Sequence, residues 1–561
     1  MMQGFFSRFR KGGNALTLAP DLQTHVFLDA YKQIVYVDIA KRDDPDLALF
    51  LEQHDRATGT AWDIQHEHYA DLQNRRAQER QRAHVAHPTS AKTTNTDNNA
   101  RSQAFALIRQ AAQLGASDIH IHRLKDYAEV RVRIKKNVLV LKDMSIAEGD
   151  ALLVALYRLG STQDPTIREG ETQDGGISGS ELEGTGLENV RIVRGPSYPA
   201  IAGGGHMELR LQYKERAGSN SSASRDVELR KPRTPAGDLM LKSYGFDDAQ
   251  IDKLLYIASS PSGLLLLTGP TGSGKTTSIF ELAKWQARTS PNKRTVTIEQ
   301  PVEYPMPWAV QLEISNALTG EEAGLQFKEN LRYSLRMDPD RLVIGEIRDA
   351  EVALTSFDAS QTGHSVMSTL HIEDPFDFPL RFQNMNSEKL PFRTTCVSTI
   401  IRGVVAQRLL PLLCDHCKKR WDPSDPRLPK LACEALLTWG DSTSICQINQ
   451  EGCAECSYTG VASVTAVAEV VETDEELMND FITRGVTPAR RRYRSRPDAD
   501  KPMVERAIAM ALDGKVDPQA IISEVERIPF RDKVERDRRI GRRERELDAR
   551  KAEEFLNEEP A

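Results

Sequence analysis

No stretch of this 561-residue chain stays apolar for the roughly 18 residues that a membrane-spanning helix needs. The opening Met1 to Gly13 is basic, but no apolar core of the kind a secretory leader carries follows it, so no signal peptide is expected. Phe5, Phe6 and Phe9 leave two readings open there, a short membrane-surface helix or a frayed end. Cysteine is scarce, seven in all, which in a chain this long without an export signal points to a reducing compartment and to metal or redox use rather than a disulfide frame. Positive charge is not in excess either. The net charge is -7 and no stretch interleaves basic with aromatic residues, which argues against nucleic acid as the main partner. These absences together lead to the expectation of a soluble cytoplasmic protein.

A chain of this length holds about three or four domains. Composition divides it as follows. Residues 1–86 form a small domain with two strand-like runs, Thr24 to Asp29 and Gln33 to Ile39, and a charged, helix-like span from Asp46 to Gln81. Residues 87–102, rich in His, Pro, Ser, Thr and Asn, read as a linker. Residues 103–213 combine a helix from Ala104 with period-two strands at Asp118 to His122, Ala128 to Ile134, Val190 to Arg194 and Met207 to Tyr213, an α+β pattern of half-buried strands. Glu169 to Leu187, rich in Gly and acid, reads as a surface insertion. Residues 214–237 are a second polar linker, long enough to let its neighbours move relative to each other. An α/β domain follows over 238–412, a cysteine subdomain over 413–460, a helical region over 461–530 with a break at Gly514, and a tail over 531–561. That tail is dense in both charges and is expected to be a solvated helix or disordered.

The chemistry centres on Leu264 to Thr277, an apolar strand that runs into Gly269-Pro270-Thr271-Gly272-Ser273-Gly274-Lys275-Thr276-Thr277 and then a helix. This is the P-loop pattern. Its glycines let successive N-H groups point inward around phosphate, and the helix adds its partial positive N-terminus. Lys275 supplies a full charge, while the Thr276 hydroxyl suits Mg²⁺. Three more strand-like runs end in polar residues: Thr295 to Ile298 in Glu299, with Glu303 beyond; Leu342 to Ile344 in Gly345-Glu346, with Arg348 beyond; Ser365 to Leu370 in His371. In an open parallel sheet, ligands bind outside the carboxyl ends of the strands, so all four ends should meet at one phosphate.

Glu346 is the candidate to orient or deprotonate an attacking water, the alternative being a salt-bridged surface carboxylate. Gly345 stands where a Mg²⁺-binding Asp is usual, which leaves metal to Thr276 with second-sphere help from Glu299 or Glu303. His364 and His371 bracket a strand roughly 23 Å long, so only His371, at its carboxyl end, is placed to sense the phosphate. His364 is either a ligand contact or a structural histidine. Arg332 and Arg336, four apart, should share a helix face, either as phosphate-stabilising charges or as a solvated ion-pairing face. Cys414-x-x-Cys417 and Cys453-x-x-Cys456 are two hooks that together satisfy tetrahedral Zn²⁺ with no open position, a structural metal. Cys396, Cys433 and Cys446 lack such spacing.

These runs in this order, with Ala116-Ser-Asp-Ile-His-Ile ahead of them and Gln407-Arg-Leu409 before the cysteines, resemble the secretion ATPases of type II secretion and type IV pilus assembly over about residues 103 to 525. The resemblance implies a RecA-like P-loop motor with an N-terminal PAS-like domain and a tetracysteine zinc subdomain, working as a homohexamer. It implies ATP and Mg²⁺ as ligands, with work passed to an inner-membrane platform protein from the cytoplasmic face. It implies that Glu299, Glu303, Glu346, His364 and His371 belong to the hydrolytic boxes, and that Arg332, Arg336, Arg348, Arg191 and Arg210 contact phosphates or neighbouring subunits. The chain departs from the pattern at Gln300, where Asp is usual, at Ile372, where Thr is usual, and in a longer spacing between Arg191 and Arg210. Two other readings stay open, a DNA-translocating motor of the same fold and an ATP-binding scaffold without turnover.

Overall fold

The computed structural model describes residues 25–29, 34–42, 44–45, 47, 63–68, 72, 93–160, 166–168, 170–214, 227–314, 317 and 319–558. The chain divides into two units, 1–98 and 99–561. In the first, β1 (Val26–Asp29) pairs antiparallel with β2 (Ile34–Asp38), as the apolar runs led one to expect, and β2 pairs in parallel with β3 (Asp63–Glu67). β3 falls inside the span 46–81 that charge and composition mark as helical. Its sequence, Asp-Ile-Gln-His-Glu, has one apolar residue and is largely exposed, so its strand state comes from the ladder with β2 rather than from its own pattern. Most of the remainder of that span, and Phe5, Phe6 and Phe9, lie outside the described residues.

α1 (Thr93–Gln113) begins within the expected linker and runs on into the second unit. Once the amphipathic turns from Ala104 have nucleated a helix, extending it adds a hydrogen bond for each residue fixed, and polar residues do not forbid that. Six strands then form an antiparallel sheet in the order β6-β5-β4-β9-β8-β7, made of β4 (Asp118–Arg123), β5 (Ala128–Ile134), β6 (Asn137–Met144), β7 (Gln173–Ser178), β8 (Leu187–Pro196) and β9 (Gly205–Tyr213). Alternation sends Ile119, Ile121, Val130, Val132 and Leu209 to one face, where they pack on Leu107 and Ile108 of α1 and Leu152 and Leu156 of α2 (Ile146–Leu159). A capping box of Ser145 and Glu148 starts α2. Gly149 lets it come down on the sheet, since a Cβ there would lie 2.4 Å from that of Ala128.

Two expectations fail here. The Gly- and acid-rich stretch is not an insertion on the surface, because it supplies β7, with Ile177, Leu182 and Leu187 buried. Nor are the strands half-buried. The polar face, with His120, His122, Glu129, Arg131, Arg133, His206 and Glu208, is covered as well, by the domain that follows.

That domain is a seven-stranded sheet in the order β12-β11-β13-β14-β10-β15-β18, comprising β10 (Gly263–Thr268), β11 (Thr295–Glu299), β12 (Ala309–Glu313), β13 (Arg341–Ile344), β14 (Ser365–Leu370), β15 (Ile401–Leu413) and β18 (Val461–Glu472). All neighbours run parallel except β15 and β18. β16 (Lys419–Arg420) and β17 (Cys446–Gln447) form a separate small ladder. β10, β11 and β13 are buried on both faces, as continuous apolar runs in a parallel sheet require. Helices α3 (Asp248–Ala258), α4 (Lys275–Thr289), α5 (Gly320–Ser334) and α6 (Ala350–Gln361) flank the sheet, the α/β class with an open parallel sheet read from the sequence. The order places β14 between the P-loop strand β10 and β13. Their ends therefore stand two strand spacings apart, about 10 Å, which leaves room for a phosphate between them.

Beyond the sheet, β15 and β18 carry the cysteine subdomain, whose core includes Leu410, Trp421, Leu436, Ile508 and Ile521. Helices α7 (Glu475–Arg484), α8 (Val486–Arg494) and α9 (Met503–Leu512) follow, with Gly514 at φ +68° ending α9. The charged tail is a 28-residue helix, α10 (Arg531–Glu558).

Candidate functional site

The P-loop turns at Gly269, Gly272 and Gly274, all at positive φ, and α4 begins at Lys275 with Gly274 as its N-cap. A cavity of about 280 Å³ opens there, bounded by Thr271, Gly272, Lys275 and Thr276 on one side and by the ends of β11, β13 and β14 on the other. Glu299 and Glu303, Glu346 and Arg348, and His371 all line it. The larger groove of about 990 Å³ lies elsewhere, between α7, α8 and α10, and its arginines are mostly paired with carboxylates.

Lys275 is largely buried, and its Nζ donates to the carbonyls of Gly269 at 3.0 Å and Pro270 at 2.7 Å. Burial pushes its ammonium below the ordinary lysine value; Glu346 opposes the shift and Arg408 adds to it. Glu346 accepts from Arg348 Nε at 2.7 Å, and His371 Nε2 stands 3.4 Å from its other oxygen. Burial, and then Lys275, hold His371 below the usual imidazole value against the pull of Glu346. Glu299 accepts from the Thr297 hydroxyl and from Gln311 Nε2 at 2.9 Å, yet burial still raises its carboxyl above the ordinary value. Two cations, Lys275 and Arg348, thus face a common space with carboxylates and an imidazole at the helix N-terminus, an arrangement suited to holding and attacking a phosphoanhydride.

A family model described as type II/IV secretion system protein matches residues 97–527. The chain belongs to that family. Among curated relatives, the type IV pilus assembly ATPase PilB of Thermus thermophilus is 30% identical over 376 residues, which are 67% of this chain and 37% of PilB. The type II secretion system protein HxcR of Pseudomonas aeruginosa is 31% identical over 66% of each chain. The protein transport protein HofB homolog of Escherichia coli is 30% identical over 80% of this chain and 84% of its own. The match therefore spans just over a third of PilB and just under two thirds of HxcR. A solved structure of the pilus retraction motor PilT with ADP overlaps 75% of this chain and 96% of its own, with a TM-score of 0.37 and 21% identity.

Several residues singled out in the sequence of this secretion-family chain lie away from the cavity. His364 sits at the opposite, amino end of β14, where its Nδ1 donates to the Ala359 carbonyl at 2.9 Å. Arg332 and Arg336 do not share a helix face, because α5 ends at Ser334 with Leu335 as its C-cap. Arg332 pairs with Glu351, and Arg336, in the turn beyond, pairs with Asp174 of β7 at 2.8 Å. Arg191 and Arg210 face each other across β8 and β9. Arg210 is held by Asp118 at 2.9 Å and Asp338 at 3.3 Å, and neither arginine lines the cavity. Within the loop, Thr277 Oγ1 is 2.9 Å from the Tyr304 hydroxyl, and Ser273 Oγ is buried without a protein partner. Gln300, the departure from the family pattern, accepts from Arg348 Nη1 at 3.2 Å. Sequence reasoning passed over Arg408, a buried cation that would stand 3.1 Å from a Cβ on Gly269. Its signal was there, one residue after Gln407 in a run noted only as a family marker.

The four hook cysteines do come together. Sγ–Sγ separations of 3.8 Å join Cys414 to Cys453, Cys417 to Cys456 and Cys453 to Cys456, and all four sulfurs lie within 4.8 Å of one another. A tetrahedron with zinc–sulfur bonds of about 2.3 Å has edges of about 3.8 Å, so this donor set is compatible with zinc. Backbone N-H groups of Cys453 and Gly460 each donate to Cys456 Sγ at 3.2 Å, support of the kind a thiolate needs.

Proposed function

We propose that this chain is a motor ATPase that hydrolyses ATP to power assembly of a type IV pilus, a conjugative one included, or of a type II pseudopilus. The observation that carries the reading is the convergence of Lys275, Glu346 and His371 on one cavity at the carboxyl edge of a parallel sheet. Lys275 and the N-H groups of Gly272 to Thr277 would hold the phosphates, with Lys275 leaving the carbonyls of Gly269 and Pro270 for phosphate oxygens. Glu346 would orient and deprotonate the attacking water once Arg348 swings from its carboxylate to the phosphate, and His371 would report the γ-phosphate to the loop that follows it. Mg²⁺ would neutralise phosphate charge, held by the Thr276 hydroxyl with Glu299 and Glu303 in its second sphere. A Cβ on Gly345 would lie 3.1 Å from the Ile298 carbonyl, so an Asp there would require the backbone of β11 to give by a few tenths of an ångström.

The reading extends to a cytoplasmic homohexamer on the inner-membrane face, working on a platform protein there, with no nucleic acid and a structural zinc in the cysteine subdomain. Support for an assembly comes from Arg191 and Arg210. Asp118 and Asp338 already offset the charge of Arg210, so it is the exposed Arg191 opposite it that an anion from a neighbouring copy would pair with. The names of the relatives support the pilus and secretion context, and no helix among the described residues is long and apolar enough to cross a membrane.

Phosphate release by the purified chain tests the reading. We expect turnover in the wild type, loss of turnover with nucleotide binding kept in Glu346→Gln, and loss of nucleotide-dependent stabilisation in Lys275→Ala. Stimulation by DNA in a salt-sensitive manner would favour a DNA motor, and nucleotide binding without turnover would favour a scaffold.

A further inference from the structure

We propose that Gln407, which does not line the cavity, is a positioning residue for nucleotide binding that holds the P-loop in its phosphate-ready shape from the neighbouring strand; the proposal rests on the nucleotide reading above. β15 runs parallel to β10 with Ala406 opposite Thr268, so Gln407 arrives beside the loop that Thr268 leads into. Its side chain is 2% exposed and makes two bonds. Nε2 donates to the Ser273 carbonyl at 2.7 Å, and Oε1 accepts from the Ser278 hydroxyl at 2.8 Å. Ser273 belongs to the turn and Ser278 to the first turn of α4, so one amide ties the loop to the helix that completes the phosphate cradle.

Gln407 also bears on two glycines of the motif. A Cβ on Gly269 would lie 2.4 Å from the Gln407 carbonyl, and one on Gly274 would lie 2.7 Å from its Nε2. The backbone of β15 requires a glycine at 269, as does the φ of +143° there, while Gly274 is favoured by its φ of +82°. Arg408 Nη1 closes the arrangement by donating to the Gln407 carbonyl at 3.2 Å. Glycine loses more conformational freedom on ordering than any other residue, and this loop carries three. A buried amide that fixes it beforehand lowers the ordering cost left for the ligand. That help acts equally on bound substrate and transition state, so its loss should raise KM and leave kcat nearly unchanged. A residue that merely satisfied buried polar groups would lower thermal stability without moving nucleotide affinity.

The test is calorimetric binding of ADP and of ATP with Mg²⁺, and steady-state phosphate release, on the full chain. Gln407→Ala is expected to raise the nucleotide Kd and KM by about tenfold with kcat within about twofold of wild type. Ser278→Ala, which removes one of the two bonds, should give a rise of about threefold, and the double variant should be no worse than Gln407→Ala because the same tie is already cut. If Gln407→Ala does not fold, Ser278→Ala carries the test. Wild-type affinity in whichever variants fold, with the wild type itself binding, overturns the role of Gln407 and leaves the nucleotide reading standing. Failure of the wild type to bind either nucleotide, with Lys275→Ala indistinguishable from it, brings down both.

Discussion

Glu346 accepts a hydrogen bond from Arg348, with His371 Nε2 3.4 Å from its other oxygen, and this setting decides what a substitution there should do. Glu346→Gln keeps the shape and removes the base, so turnover should fall by about 10²- to 10⁴-fold with ATP affinity retained, measured by phosphate release and calorimetry. A second residue-scale prediction concerns His120 and His122, both held well below the ordinary imidazole value by burial first, with Arg294 next for His120 and Arg131 next for His122. A group whose folded value is depressed takes up its proton on unfolding. Its stability is therefore present in full above about 6.5 and is lost as pH falls toward the folded value, by up to about 1.4 kcal/mol per pH unit for each histidine. Glu469, pushed up to about 7 by burial against the pull of Arg494, works in the opposite direction below that pH. The measurement is thus the difference in slope of Tm between pH 8 and 5, which should flatten in the His120→Asn/His122→Asn double variant. The histidines of β4 were legible as strand residues but not as buried ones, because alternation reports which face a side chain takes and not what will cover that face.

At the scale of elements, the described side chains of α10 form no buried apolar stripe, Ile540 and Leu547 being exposed, and charge joins it to its neighbours. Arg491 pairs with Glu544, Arg484 and Arg492 with Asp548, and Arg538 with Glu505. At 1 M salt the Debye length shrinks to about 3 Å, so the tail should lose hydrogen-exchange protection between 0.1 and 1 M NaCl while β10 and β13 keep theirs. Retained protection would mean that packing around Gly541, whose Cβ would lie 2.6 Å from the Arg491 carbonyl, holds the helix instead. The sequence left this segment between a solvated helix and disorder. Charge density alone cannot choose between them, because the docking depends on where the arginines of α8 point. The cysteine subdomain is the opposite case: two C-x-x-C hooks announce it locally, and the fold only has to bring them together. A strong chelator should release one zinc per chain and raise exchange across 413–460, with β10 little affected.

For the whole molecule, the seam between the two large sheets is polar and buried. Arg133 reaches Asp338 and, at 2.8 Å, Asp340; Arg294 reaches Glu208; His120 reaches Asp338 at 3.1 Å. The Val138 N-H donates to the Asn292 carbonyl at 3.0 Å and the Tyr198 N-H to the Gln311 carbonyl at 2.8 Å, so backbone joins backbone across it. Arg133→Ala leaves two carboxylates without their main partner and should cost about 3 kcal/mol, read as a lower thermal midpoint of the full chain. The second linker, long enough on composition to allow free movement, joins domains that form one compact unit. By itself the sequence determined the P-loop and its strand, the polar ends of β11, β13 and β14, and the four-sulfur hooks, because each is written in residue types a few positions apart. Only the tertiary structure decided that His364 turns to the Ala359 carbonyl, that Arg332 and Arg336 turn to separate carboxylates, and that a second polar face is buried. Those outcomes depend on the order in which strands pair and on where helices stop, which long-range packing sets and no local pattern carries.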